Sequence, residues 1–158
     1  MQIREIRKAD NEPLAKLIRD VFEEMDIPRA GTVYSDPTTD TLFESFKTGK
    51  SVLWVAEENG TLSGSCGIYP TAGLPEGHAE LVKFYLSPNS RGKGTGKALF
   101  EKSIESAKEF GYTHLYIESF PAFKTAIQLY KKYGFYPIVR PLGNSGHTAC
   151  NVWMLKDL

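Results

Sequence analysis

The stretch from His78 to Gly111 constrains this chain more than any other. An apolar run, HAELVKFYLSP, reads as a long strand that Pro88 stops. The turn SRGKGTGK, Ser90 to Lys97, follows with three glycines and three cations in eight positions. From about Thr95 to Phe110 the pattern becomes helical, with Phe100, Ile104 and Ala107 on one apolar face and Gly111 as the C-terminal cap. A glycine-rich turn at a helix start directs backbone N–H groups at one point, and the helix dipole adds positive potential there. Arg91, Lys93 and Lys97 add charge. The unit therefore predicts an anion site. The plainer reading is a solvated turn whose glycines only start a helix.

The rest of the chain reads as further strands and helices. QIREIR alternates Ile3 and Ile6 with charges as a short first strand. Asp10 or Asn11 is expected to cap the next helix, with Pro13 in its first turn. Leu14, Leu17, Ile18, Val21, Phe22 and Met25 fall on one helical stripe. Pro28, Gly31 and Pro37 break the pattern before a short helix around Leu42, Phe43 and Phe46. SVLWVAEE and TLSGSCGIY flank Asn59-Gly60, which predicts a hairpin. THLYIESF reads as a strand, and KTAIQLYKKYG as a helix with Ala126, Leu129, Tyr130 and Tyr133 inward. FYPIVRPL and CNVWMLKDL read as closing strands, with GNSGHTAC as the turn between them. The order is β-α-α-β-β-β-α-β-α-β-β. With no linker visible, residues 1–158 are expected to form one α/β (α+β) domain.

Charge and composition narrow the function. Nineteen basic residues balance nineteen acidic ones, which argues against a nucleic-acid partner. Cys66 and Cys150 form no CxxC pair, and His78, His114 and His147 are scattered, so neither a disulfide framework nor a metal is expected. The start MQIREIRKAD lacks the apolar segment of a signal peptide, and no apolar run reaches 18 residues. A cytoplasmic chain with no membrane partner is the expectation.

Three anion motifs compete for the turn. The P-loop GxxxxGK[ST] fails twice, because Arg91 stands at its first glycine and Ala98 at its Ser/Thr. The dinucleotide fingerprint GxGxxG fails at Lys97, and the turn follows a fourth strand rather than a first. The pattern [RQ]xxGx[GA] fits Arg91-Gly92-Lys93-Gly94-Thr95-Gly96 without exception. It resembles the pyrophosphate-binding motif of the GNAT acetyltransferase superfamily. FYLSPNSRGKGTG resembles that family's strand-Pro-turn sequence, and AIQLYKKYGF resembles its A..LY.K.GF segment. The likeness in element order covers nearly the whole chain.

The resemblance implies a GNAT-like fold, a mixed and mostly antiparallel sheet flanked by helices, and acetyl-CoA as acyl donor without a metal. It implies pyrophosphate binding by the N–H groups of Arg91, Gly92, Lys93, Gly94, Thr95 and Gly96, with Lys97 close by. Phe84, Tyr85 and Leu86 take the place of the strand that bonds the pantetheine arm, and an N–H there stabilises the oxyanion. Tyr130 matches the tyrosine that donates to the sulfur; on residue pattern alone it is a core tyrosine. Glu80, of the same strand parity as Val82, Phe84 and Leu86 unless a bulge intervenes, is the candidate base acting through a water. Its alternative is a solvated strand-end carboxylate. Phe123 stands where many members have Asn, so a hydrogen bond to the pantetheine is lost or replaced by packing.

The acceptor side is less specified. Tyr34, Ser35, Asp36, Glu118 and His147 fall in the segments that meet acceptors in this family, and Asp36 or Glu118 would hold a cation; each also reads as ordinary surface or turn chemistry. Cys150 reads as a small strand residue. The expected activity is direct acetyl transfer to a primary amine of a small molecule or peptide, in a ternary complex. The rival is a non-catalytic acyl-CoA-binding or regulatory module on the same fold. A homodimer is compatible with the resemblance.

Overall fold

Asn59 and Gly60 have φ of 52° and 77°, so both central positions of a two-residue turn are left-handed. The turn joins β2 (Val52–Glu58) to β3 (Thr61–Tyr69), with Glu58 opposite Thr61. In the computed structural model, which describes residues 1–158, β1 (Gln2–Glu5) adds to the outer side of β2 and β4 (His78–Leu86) to the outer side of β3. All these pairs are antiparallel. β5 (His114–Ser119) then pairs parallel with β4, β7 (Val152–Asp157) antiparallel with β5, and β6 (Tyr136–Pro137) forms the edge. The sheet order is β1-β2-β3-β4-β5-β7-β6.

Helices cover both faces, so the inner strands are apolar on both sides. α1 (Asn11–Glu24) and the single turn α2 (Leu42–Ser45) lie on one face; α3 (Thr95–Glu109) and α4 (Lys124–Lys132) lie on the other. Strand β2 shows the division by its two-residue period. Val52 and Ala56 join Leu99, Phe100 and Ile104 under α3 and α4, whereas Leu53 and Val55 join Leu14, Ile18 and Phe22 under α1. Leu14, Ile18 and Phe22 are almost fully buried. Each contributes about 1.5–3 kcal/mol relative to an exposed position.

Three helices end by the same device. After α3, Gly111 (φ 87°) donates to Lys108 and Tyr112 donates to Ala107. After α4, Gly134 (φ 90°) donates to Lys131 and Phe135 to Tyr130; after α1, Asp26 (φ 53°) donates to Glu23 and Ile27 to Phe22. This is the Schellman pattern, which satisfies the last carbonyls.

Two expectations about local structure are corrected. Neither Asp10 nor Asn11 caps α1 through its side chain. Asp10 instead takes a bidentate pair from Arg4, at 2.8 and 3.0 Å, and the Arg7 N–H at 2.7 Å. Asn11 caps α2, its Oδ1 accepting from the Phe43 N–H at 2.8 Å. A guanidinium supplied by β1 outcompetes the local cap because it offers charge-assisted bonds. The strand expected over FYPIVRPL shrinks to Tyr136–Pro137, because Pro137 and Pro141 have no N–H to give a ladder. Residues 138–151 form an irregular loop. No helix is long and apolar enough to cross a membrane.

Candidate active site

β4 and β5 stay paired over only three rungs, ending at Glu80 opposite Tyr116. Both strands continue, β4 to Leu86 and β5 to Ser119, so they part and leave a wedge. Leu81 to Tyr85 line one wall, Ile117 to Phe120 the other, and Tyr130 of α4 also lines it. A bulge in β4 deepens the opening. Ser65 pairs with Tyr85 but Gly67 with Val82, so Cys66 alone faces Lys83 and Phe84. Lys83 has φ of 56°, and the Ser65 hydroxyl donates to its carbonyl.

The bulge corrects the expected parity. Glu80 and Val82 face the cavity beside α2, whereas Phe84 turns to the opposite face and packs on Phe100 at 5.7 Å between ring centroids. Tyr85 then faces α1, 5.8 Å from Phe22.

At the end of β4 the glycine turn is built as an open cradle. Gly92 and Gly94 have φ of 74° and 85°, which side chains resist. A Cβ on Gly96 would lie 2.8 Å from Leu86 Cδ1, so this glycine lets the helix start against β4. None of the six N–H groups from Gly92 to Lys97 has an acceptor in the protein. The Arg91 N–H, by contrast, donates to Pro88 at 3.4 Å, and its guanidinium is held by Glu24, at 2.7 and 2.9 Å, and by the Leu86 carbonyl at 3.0 Å. Arg91 thus ties the turn to the end of α1, and hydrogen bonding from it lowers the pKa of Glu24. Lys97 reaches Glu101 at 3.8 Å with both side chains exposed.

Tyr130 is 5% exposed, wedged among Phe84, Phe100 and Phe135. Its hydroxyl makes no hydrogen bond with the protein, and burial pushes the phenol well above its ordinary value. Phe123 packs on Phe22, Tyr85 and Phe120 and gives the wedge an apolar wall.

A second cavity of about 270 Å³ adjoins the wedge and shares Glu80, Val82, Lys83 and His147 with it. Two of the expected acceptor-side residues meet here. His147 Nε2 and Asp36 Oδ2 are 2.8 Å apart. Burial opposes ionisation of Asp36, but bonds from His147 and Thr38 hold its carboxyl below the usual range. Glu118 lines the wedge and not this cavity; it accepts from the hydroxyls of Tyr116 and Ser145, and Tyr116 in turn accepts the Leu142 N–H at 3.1 Å. Glu80 is 5% exposed and accepts from Thr71 at 2.7 Å through one oxygen; the other has no protein donor. Burial pushes its carboxyl up to about 7, with the charge of Glu118 adding and Thr71 and Lys83 opposing.

Tyr34 does not join this group. Its ring lies under the Arg29 guanidinium at 4.8 Å and beside Phe22, and it lines neither cavity. The cation–π contact draws it into the wall behind the site. Ser35 likewise bonds back to Thr32 and lines neither cavity. Lys83, Thr71, Tyr116 and Ser145 were not singled out by the sequence reading. Lys83 carried a signal, a lone cation inside the apolar run LVKFYL. The other three had none, because their partners come from distant loops. Cys150 lines the wedge with its thiol pushed up to about 12 by burial, which leaves it unreactive.

A split strand pair and a bulge thus lead to a glycine turn with unpaired N–H groups at one end. The acetyltransferase (GNAT) family model matches residues 14–135. The chain belongs to the GNAT family. As a member it is an acyltransferase, and its relatives bear the same description. The Uncharacterized N-acetyltransferase YjgM of Escherichia coli (strain K12) is 36% identical over 157 residues, 99% of this chain and 94% of that protein. N-acetyltransferase 8 of Rattus norvegicus is 36% identical over 87 residues, covering 54% of this GNAT chain and 39% of the rat protein. In fold, a GNAT acetyltransferase from Staphylococcus aureus Mu50 superposes with a TM-score of 0.87 at 22% identity, over 99% of this chain and 98% of that one. The PaiA N-acetyltransferase of Thermoplasma acidophilum, solved with coenzyme A, superposes at 0.77 and 18% identity, over 99% and 98%.

Proposed function

We propose that this GNAT chain, acting as a single domain over residues 1–158, transfers acetyl from acetyl-CoA to a primary amine by direct attack in a ternary complex. The observation that carries the reading is the run of N–H groups from Gly92 to Lys97 without protein acceptors, at the mouth of the β4–β5 wedge. That run fits a pyrophosphate, since helix N-termini favour anions. Arg91 supports it by holding the turn, and the walls of Phe84, Tyr85, Leu86 and Phe123 fit the pantetheine arm. Bound acetyl-CoA supplies an activated acyl group.

The remaining work falls to residues of the chain. Glu80, at the crotch of the wedge, accepts the proton that an ammonium must lose before it can attack. A carboxyl near 7 is half ionised at neutral pH, which suits a general base. Tyr130 gives its hydroxyl proton, or a hydrogen bond, to the departing sulfur; its phenol stays protonated at any working pH. Asp36 and His147 shape the acceptor cavity, and Glu118 the adjoining wall of the wedge.

Thermal unfolding with acetyl-CoA, free coenzyme A and ATP tests the binding step. Ligand at 100 times its Kd adds about 2.7 kcal/mol. For a domain of this size that raises Tm by roughly 5–10 °C. A shift with acetyl-CoA and coenzyme A, but not with ATP, supports the site, and thiol release on adding an amine supports transfer. No shift at millimolar acetyl-CoA overturns the reading. A shift without thiol release on any amine favours the acyl-CoA-binding module instead.

A further inference from the structure

Four Asp, Glu, Lys or His side chains line the acceptor cavity, and three of them are already engaged. Asp36 is bonded to His147 and Thr38, and Glu118, in the neighbouring wedge, is held by Tyr116 and Ser145. Glu80 accepts from Thr71 and carries a proton for much of the neutral range. Lys83 is the exception. Its ammonium makes no hydrogen bond and lies within 4 Å of no carboxylate; burial lowers its pKa from the ordinary lysine value, and Glu80 and Asp36 oppose this only at longer range. It lines both the wedge and the acceptor cavity. Its position is fixed by the bulge, where Lys83 adopts φ of 56° and Ser65 pins its carbonyl. A half-buried ammonium without a counterion, on a backbone conformation that glycine would adopt more readily, is costly twice over. An anion arriving with the substrate would offset that cost.

We infer that the acceptor is a free amino acid or a similarly small amine bearing a carboxylate, and that Lys83 binds this carboxylate while the amine faces Glu80. The inference rests on the acetyltransferase reading. Cavity size and lining agree with it. About 270 Å³ suits a small molecule, and Thr38, Thr71, Asn144 and Ser145 offer hydroxyl and amide partners for a polar one. A polyamine would bring a second cation against Lys83.

The test compares each proteinogenic amino acid with its carboxamide and its decarboxylated amine, measuring kcat/KM by thiol release from acetyl-CoA. The wild type is expected to favour the best acid over its carboxamide by about 30- to 100-fold, the worth of a charge-assisted bond. Lys83→Met should bring the two to within about threefold, and Lys83→Arg should restore part of the preference. A Tm rise with acetyl-CoA in each variant verifies that the fold and donor site persist. Equal or better use of carboxamides, plain amines or polyamines by the wild type overturns the inference and leaves the acetyltransferase reading standing. So does a preference that survives in Lys83→Met. Thiol release from no amine, with the Tm rise intact, overturns both.

Discussion

Glu80 faces Tyr116 on the last rung that holds β4 and β5 together, and both side chains are buried. Tyr116 gives its hydroxyl to Glu118, two residues along its own strand, and not to Glu80. One oxygen of Glu80 therefore stays free at the point where the wedge begins. The same burial that places it there raises its pKa, so position and proton affinity have one cause.

Glu80→Gln should change both the pH profile and the pH dependence of stability. A carboxyl that titrates at 4.5 when unfolded and about 7 when folded holds its proton more tightly in the native state. Stability then falls as pH rises through that window and levels above 7. Glu80→Gln should be more stable than wild type at pH 8, by a margin on the order of 3 kcal/mol at most. The margin should vanish below pH 4.5. Urea unfolding at pH 8 and pH 5 reads this directly. In kinetics, the acidic limb of kcat/KM near pH 7 should disappear. An equal stability difference at both pH values would refute the burial argument, and an unaltered limb would remove Glu80 as the base.

Tyr130→Phe separates chemistry from packing. The hydroxyl has no partner in the protein, so its loss should leave Tm within about a degree. The ring keeps its contacts with Phe84, Phe100 and Phe135. kcat should fall by about 10- to 100-fold, below the usual range for a general acid because a thiolate is a fair leaving group. The Kd for acetyl-CoA should change little. A kcat equal to wild type would assign Tyr130 to the core alone.

Asp10→Ala should damage the fold without touching the site. Asp10 is 6% exposed and takes three bonds, two from Arg4 and one from the Arg7 N–H. Removing it leaves a buried guanidinium short of its partner. The cost should be about 3 kcal/mol in urea unfolding. The Tm increment on adding saturating acetyl-CoA should persist. A loss under 1 kcal/mol would mean that Glu57, 3.3 Å from Arg4, takes over the pairing.

How far the sequence foretold this arrangement depends on the range of each interaction. The Asn59-Gly60 hairpin, the α1 stripe and the glycine turn rest on neighbours within a few residues, and each stands where the pattern put it. The β4 bulge does not rest on β4 alone. It arises where Ser65, Cys66 and Gly67 of β3 meet Lys83 and Phe84, a register that no single strand encodes. That is why the period-two reading aligned Glu80 with Phe84 and failed. Asp36 and His147 were each visible as candidates, but their contact joins two loops 111 positions apart. Arg91 was read as a cation for the ligand, and Glu24, 67 positions away, claims it.

Gly94 allows the anion site to be tested apart from stability. It precedes α3 with φ of 85°, and a Cβ there would meet no protein atom within 4 Å. Gly94→Ala therefore faces only the left-handed backbone penalty, about 1–2 kcal/mol. Gly94→Asp faces a similar or smaller one, since Asp tolerates this region better. The two variants should unfold at nearly the same temperature without ligand. With acetyl-CoA they should diverge. The Asp variant sets a carboxylate beside the free N–H groups from Gly92 to Lys97, where it both repels a pyrophosphate and competes for its donors. Its Kd for acetyl-CoA should rise by at least about 100-fold, while Gly94→Ala should weaken binding by far less. Calorimetric titration of both variants checks this. Equal Kd values for the two would show that charge at the turn does not matter to binding, and the pyrophosphate would have to lie elsewhere.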